Sequence, residues 1–197
     1  MTKTAHILIF DGYADWEPAL ALAELRRAGG FDVVAIGFGS EAATSMGGLR
    51  VSVDRTIFDT PPEDVDLLIV PGGDRWQSGD YPSDAVHGLL RDMDAAGRRI
   101  AAICGATVAL ARAGVLDGRR HTSNTRDFLV ANAPEYRGVE RYADELSVRD
   151  GGVITASGLG SIEFARDMLA ELGIYPEDAL SSWFDAFKHG RYTVSAT

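Results

Sequence analysis

Short runs of aliphatic and β-branched residues alternate along this chain with longer stretches in which apolar positions return at helical spacing. That alternation predicts an α/β fold, a mostly parallel sheet with helices on both faces. The run His6-Ile7-Leu8-Ile9-Phe10 reads as the first strand, Asp11-Gly12 as a turn, and the following segment as a helix through Ala28. Ala21, Leu22, Leu25 and Ala28 would share its buried face, and Gly29-Gly30 would end it. Residues 31–37 form the second expected strand, and Leu49 to Val53 alternates like a half-exposed antiparallel piece after the Met46-Gly47-Gly48 turn. The continuous apolar runs 66–70, 99–103 and 153–156 read as strands buried on both faces. Ile7, Leu68, Ile103 and Ile154 are therefore assigned to the inner sheet. Helices are expected over 83–96, 104–113, 161–172 and 177–187, with a short one around 126–131. The stretch 121–147 is otherwise mixed.

Composition narrows what such a fold could do. With 197 residues, 46% hydrophobic and 24% charged, the chain is long enough for one well-cored domain, and no linker or repeat divides it. One domain over 1–197 is the expectation. The formal net charge is −10 with no basic cluster, which weighs against nucleic acid and anionic membrane as partners. The longest apolar stretch, residues 100–111, is too short to cross a bilayer, and residues 7–10 are too few for a secretory core. A cytoplasmic protein is expected. The lone cysteine, Cys104, excludes an internal disulfide and any multi-thiolate metal site, and no metal or other cofactor is expected.

Cys104 falls where the 99–103 strand runs into a helix, followed by the small residues Gly105 and Ala106. This is the layout of a nucleophile elbow, a tight turn that projects the side chain from the strand end, where doubly wound sheets place their sites. The helix start supplies free N–H groups and positive potential, so a thiol with a pKa below the ordinary value of about 8.5 is expected. The same local pattern also fits an inert core cysteine. Asp11 to Pro18 opens on the same sheet edge. Asp15 suits the N-cap of the following helix with Pro18 in its first turn, leaving Glu17 as the chemical acid. A glutamate held near a thiolate in a dry pocket is pushed toward its protonated form and can act as acid and base; the alternative is a solvated first-turn glutamate.

Pro71-Gly72-Gly73 ends the strand before the cysteine strand, and its backbone N–H groups could face a ligand or simply turn the chain. Of the four histidines only His121 lies in a loop able to reach the sheet edge, at the head of His121-Thr122-Ser123-Asn124. A Cys–His pair would activate sulfur; a surface histidine is the alternative. Gly37-Phe38-Gly39 and Gly158-Leu159-Gly160 imitate dinucleotide-binding loops, but the first lacks a third glycine and a helix, and the second has Glu163 where a third glycine belongs.

Asp15-Trp16-Glu17, Pro71-Gly72-Gly73, Ala102 to Ala106 and Thr155 to Ala165 together resemble the ThiJ/PfpI family of the class I glutamine amidotransferase-like superfamily, in order and spacing, from about residue 5 to about residue 173. The resemblance implies a flavodoxin-like three-layer sandwich, a homodimer, Cys104 as elbow nucleophile and Glu17 as the acid touching its sulfur. It further implies substrate-facing N–H groups on Gly73 and Gly105, and places His121 about where glyoxalase-like members carry a histidine. Two departures matter. Protease-like members have a histidine directly after the cysteine, where this chain has Gly105, and the late His–Glu loop of glutamine amidotransferases is absent. The activity implied is hydrolysis or hydration of a small electrophilic substrate; the other function open to such a site is a redox sensor whose Cys104 is oxidised to sulfinate.

Overall fold

The structure, a computed structural model, describes residues 3–191. The outermost residues of the expected 1–197 domain lie outside the described residues. The strands are β1 (Thr4–Ile9), β2 (Asp32–Gly37), β3 (Ala43–Thr44), β4 (Arg50–Val51), β5 (Arg55–Thr56), β6 (Leu67–Val70), β7 (Arg99–Ile103), β8 (Ser147–Asp150) and β9 (Val153–Ala156). The helices are α1 (Trp16–Arg27), α2 (Arg75–Ser78), α3 (Ser83–Ala95), α4 (Ala106–Arg112), α5 (Arg126–Asn132), α6 (Ser161–Glu171) and α7 (Glu177–His189).

Seven strands form one sheet in the order β5-β2-β1-β6-β7-β9-β8, parallel throughout except for the β8–β9 pair. The expected α/β class holds. Ile7, Leu68, Ile103 and Ile154 all lie on inner strands and are buried, as continuous apolar runs covered on both faces must be. Helix α1 packs on α6, and α3 on α4, giving helical layers about the sheet. α4 is short but buried along its length, so it is apolar nearly all round.

The sequence pattern understated the edges. β5 has no buried residue and β8 buries only Ser147 and Val148, and both carry an arginine, so neither shows the run of apolar residues that marks the inner strands. Leu49 to Val53 yields only the β4 residues, paired with β3 in a small separate hairpin.

Strand order reverses at β1: β2 lies on one side of it and β6 on the other. The crevice at the carboxyl ends of strands flanking such a reversal is where open α/β sheets bind ligands. Glu17 follows β1, Gly72 and Gly73 follow β6, Cys104 follows β7 and Gly158 follows β9.

Candidate active site

β7 passes into α4 through Cys104 and Gly105 alone. Cys104 has φ of 59°, the one non-glycine residue with positive φ among the described residues. A side chain in that region costs about 1–3 kcal/mol and persists only when the surroundings impose it. They do so here. The Cys104 N–H donates to the Ala156 carbonyl at 2.9 Å, while its own carbonyl accepts from the Thr107 N–H at 3.2 Å and the Thr107 hydroxyl at 2.6 Å. Because the Thr107 proton is spent there, the Ser123 hydroxyl, 2.7 Å away, donates to Thr107.

Glu17, the second residue of α1, is 1% exposed. Its Oε2 accepts from the Gly72 N–H at 2.6 Å, and its carboxyl stands beside the Cys104 thiol, with Oε1 and the sulfur lining the same gap against Gly158. Burial pushes its pKa up to about 7, against the smaller opposing pull of the Gly72 N–H and the thiol; no cation acts on it. A carboxyl poised near neutrality can both accept and return a proton.

Glycines bring the walls this close. A Cβ on Gly72 would stand 2.8 Å from both Cys104 Cβ and Glu17 Oε2, and one on Gly158 would stand 3.0 Å from the sulfur. Gly73, at φ 152°, leaves no room for a Cβ against the Phe10 ring, and its N–H has no hydrogen-bond partner among the described residues. Gly105 packs on the Gly73 carbonyl and the Trp76 ring, and its own N–H reaches the sulfur. Trp76 is fully buried and fixes the β6 end by donating from Nε1 to the Pro71 carbonyl at 2.8 Å.

The thiol differs from the sequence expectation. Burial and the negative charge of Glu17 raise its pKa, outweighing the Asn124 amide and the Gly105 N–H that pull it down. The expectation rested on the helix start; α4 has only 7 residues and the sulfur beside it is largely dehydrated.

His121 makes no hydrogen bond to the sulfur. It is fully buried, with Nδ1 2.8 Å from the Arg119 carbonyl and Nε2 bonded to the Tyr136 hydroxyl. A carbonyl only accepts, so Nδ1 carries the proton and Nε2 accepts from Tyr136. Burial lowers the pKa of this ring, so it stays neutral and has no free nitrogen for Cys104. Three residues on in the same loop, Asn124 takes the place expected for the histidine: Nδ2 donates to Sγ at 3.3 Å and Oδ1 accepts from the Gly158 N–H at 2.9 Å. Sequence reasoning missed it because a loop carries no period that aims one polar side chain rather than its neighbour.

Asp15 also differs. It precedes α1 but caps nothing; its carboxylate accepts from the Ser45 hydroxyl at 2.8 Å and the Gly47 N–H at 3.2 Å, pinning the β3–β4 hairpin to the site edge. The glycine-rich lookalikes have packing explanations. A Cβ on Gly37 would strike Val53, and Gly158 faces the sulfur rather than a phosphate. No group of three or more His, Cys, Asp or Glu able to hold a metal occurs among the described residues, and no described helix is long and apolar enough to cross a membrane.

The strained thiol, its buried acid and the unpaired Gly73 N–H make an arrangement able to attack an electrophilic carbon and receive the charge that develops on its heteroatom. The chain has relatives of similar length. The chain is 34% identical over 93% of its length to a protein of Bacillus subtilis named uncharacterized protease YoaZ, covering 90% of that protein. It is 33% identical over 68% of its length to deglycase PfpI of Pyrococcus furiosus, covering 77% of it. The crystal structure of a thiJ/pfpI family protein from Bacillus anthracis superposes with a TM-score of 0.90 at 35% identity, over 97% of this chain and 92% of that one. The profile of the DJ-1/PfpI family matches residues 3–171, which takes in all four segments around the sulfur, and the chain belongs to that family.

Proposed function

We propose that the protein is a cysteine-dependent enzyme that hydrolyses or hydrates a small electrophilic substrate. The observation that carries this is the buried Glu17 carboxyl set beside the Cys104 thiol between Gly72 and Gly158, with the carboxyl raised to about 7. Glu17 takes the thiol proton, and the thiolate forms a bond to the electrophilic carbon while an electron pair moves onto its oxygen or nitrogen. The N–H groups of Gly73 and Gly105 meet that charge. Protonated Glu17 returns the proton to the charged atom in a hydration, or to the departing nitrogen of an amide as the oxyanion collapses and the C–N bond breaks; water then displaces the sulfur, its hydroxyl going to the carbon and its proton to the thiolate. The deglycase name of the Pyrococcus relative supports a carbonyl electrophile. The protease name of the Bacillus relative receives less support, because Gly105 stands where a protease-like histidine would and His121 is held by Tyr136. A cytoplasmic homodimer belongs to the same proposal, and light scattering at micromolar concentration should give twice the chain mass.

The test is turnover of methylglyoxal, an isonitrile and small amides by the wild type and by Cys104→Ser. Turnover of at least one compound, abolished in the variant, is expected. If no compound is turned over faster by the wild type than by Cys104→Ser, the enzymatic proposal fails. Conversion of Cys104 to sulfinate by mild peroxide would then favour the sensor, whose oxygens the Asn124 amide and the Gly105 N–H could hold.

A further inference from the structure

We infer that Asn124 is a positioning residue that aims the Cys104 thiol proton at Glu17. The inference rests on the proposed roles of those two residues. An amide side chain has one accepting and one donating end, and which end faces which neighbour is decided by its partners. Here the choice is forced. The Gly158 N–H can only donate, so the accepting Oδ1 must face it, at 2.9 Å, and Nδ2 must face the sulfur, at 3.3 Å.

Nδ2 has no lone pair to offer. The sulfur therefore accepts on the Asn124 side, and its own proton must lie elsewhere. The acceptor available is the Glu17 carboxyl, whose Oε1 lines the same gap as the sulfur: a Cβ on Gly158 would stand 3.3 Å from Oε1 and 3.0 Å from Sγ. Asn124 thus orients the S–H and favours the thiolate once the proton has crossed. Its amide does not titrate, so it cannot compete with Glu17 for that proton as a histidine in its place would.

The loop is built to hold this aim. Thr122 N–H donates to the Thr155 hydroxyl at 2.8 Å, and the Thr122 hydroxyl donates to the Glu145 carbonyl at 2.7 Å. Ser123 is tied to Thr107 in α4, and the Thr125 hydroxyl caps α5 by accepting from the Phe128 N–H at 3.0 Å. Each residue beside Asn124 is thereby fixed to β9, α4 or α5.

The test is the rate of alkylation of the full-length protein by iodoacetamide from about pH 5 to about pH 11. Cys104 is the only cysteine in the chain, so the label reads it alone. Asn124→Asp keeps the size but puts a carboxylate against the sulfur. Its profile should move to higher pH by about one unit, slowing labelling at pH 7 by roughly tenfold. Asn124→Ala, which deletes the donor without adding charge, should move the same way by less, roughly threefold. Should the aspartate variant fail to fold, the alanine profile decides. Profiles of the folded Asn124 variants that overlay the wild type would overturn the inference. Glu17→Gln run alongside separates the two ideas: an unshifted Glu17→Gln profile sinks the Cys104–Glu17 pair itself, whereas a shifted one beside unshifted Asn124 variants sinks only the role of Asn124.

Discussion

Helix α1 carries two buried glutamates two turns apart on one face, Glu17 at its start and Glu24 near its end, 1% and 4% exposed. Their acidities move in opposite directions. Burial raises both, but at Glu24 it is overcome by hydrogen bonds from the Tyr175 hydroxyl at 2.6 Å and Arg27 at 2.7 Å and by the Arg27 charge, leaving the pKa below its ordinary value. Glu17 receives one backbone N–H and a thiol, and is pushed up to about 7. Glu24 also sits shallowly, its Arg27 partner mostly exposed, whereas Glu17 lies beneath the sheet crevice. What lines a carboxyl, rather than whether water touches it, decides whether it is a strut or a proton carrier. Glu24 ties α1 to the segment between α6 and α7; Glu17 is kept able to change its charge.

The largest effect should come from removing the proton. Glu17→Gln should lower turnover by about 10²- to 10⁴-fold, the usual worth of a general acid–base group, while Glu24→Gln leaves it unchanged. Steady-state rates of the two variants break the comparison if they match. In alkylation, the wild type should show an inflection near pH 7 that Glu17→Gln lacks, and above it the variant thiol should be the more acidic, since no carboxylate opposes it.

Next in size is the pH dependence of folding, which should have opposite signs at the two ends. Glu17 binds its proton more tightly folded than unfolded, so its contribution is full below about 4.5 and is lost as pH rises to about 7, an amplitude of about 3 kcal/mol. Glu24 is depressed when folded, so its contribution is present above about 4.5 and disappears as pH falls through its folded pKa. Urea unfolding across this range should lose its descending limb in Glu17→Gln and its acid limb in Glu24→Gln. At neutral pH, Glu24→Gln should cost about 1–3 kcal/mol, because it weakens the charged acceptor that Tyr175 and Arg27 share. The smallest shift is expected from His121→Gln. Whatever it costs the fold, the alkylation profile of Cys104 should overlay the wild type, since His121 spends its nitrogens on Arg119 and Tyr136.

These contrasts also mark what the sequence could say. The inner strands were legible because burial on both faces leaves an uninterrupted apolar run, and Cys104 was legible because a strand, a lone thiol and small residues in that order have few other uses. Glu17 was found by its place after β1. Its neighbour Asp15 suits a cap by its place at the helix start, but Ser45 and Gly47, about thirty residues away and invisible to spacing, take its carboxylate instead. The thiol pKa is illegible for a related reason: a helix start is a local feature, whereas dehydration is a sum over segments distant in the chain.

The backbone at Cys104 separates two properties usually lost together. Its φ of 59° belongs to the turn and not to the sulfur, so serine or alanine at 104 would remove the proposed nucleophile yet inherit the same contorted geometry. Only glycine would relax it. A comparison of Cys104→Ala with Cys104→Gly in thermal melting would therefore weigh the conformational burden of the elbow apart from any reaction, in two proteins that are equally inert.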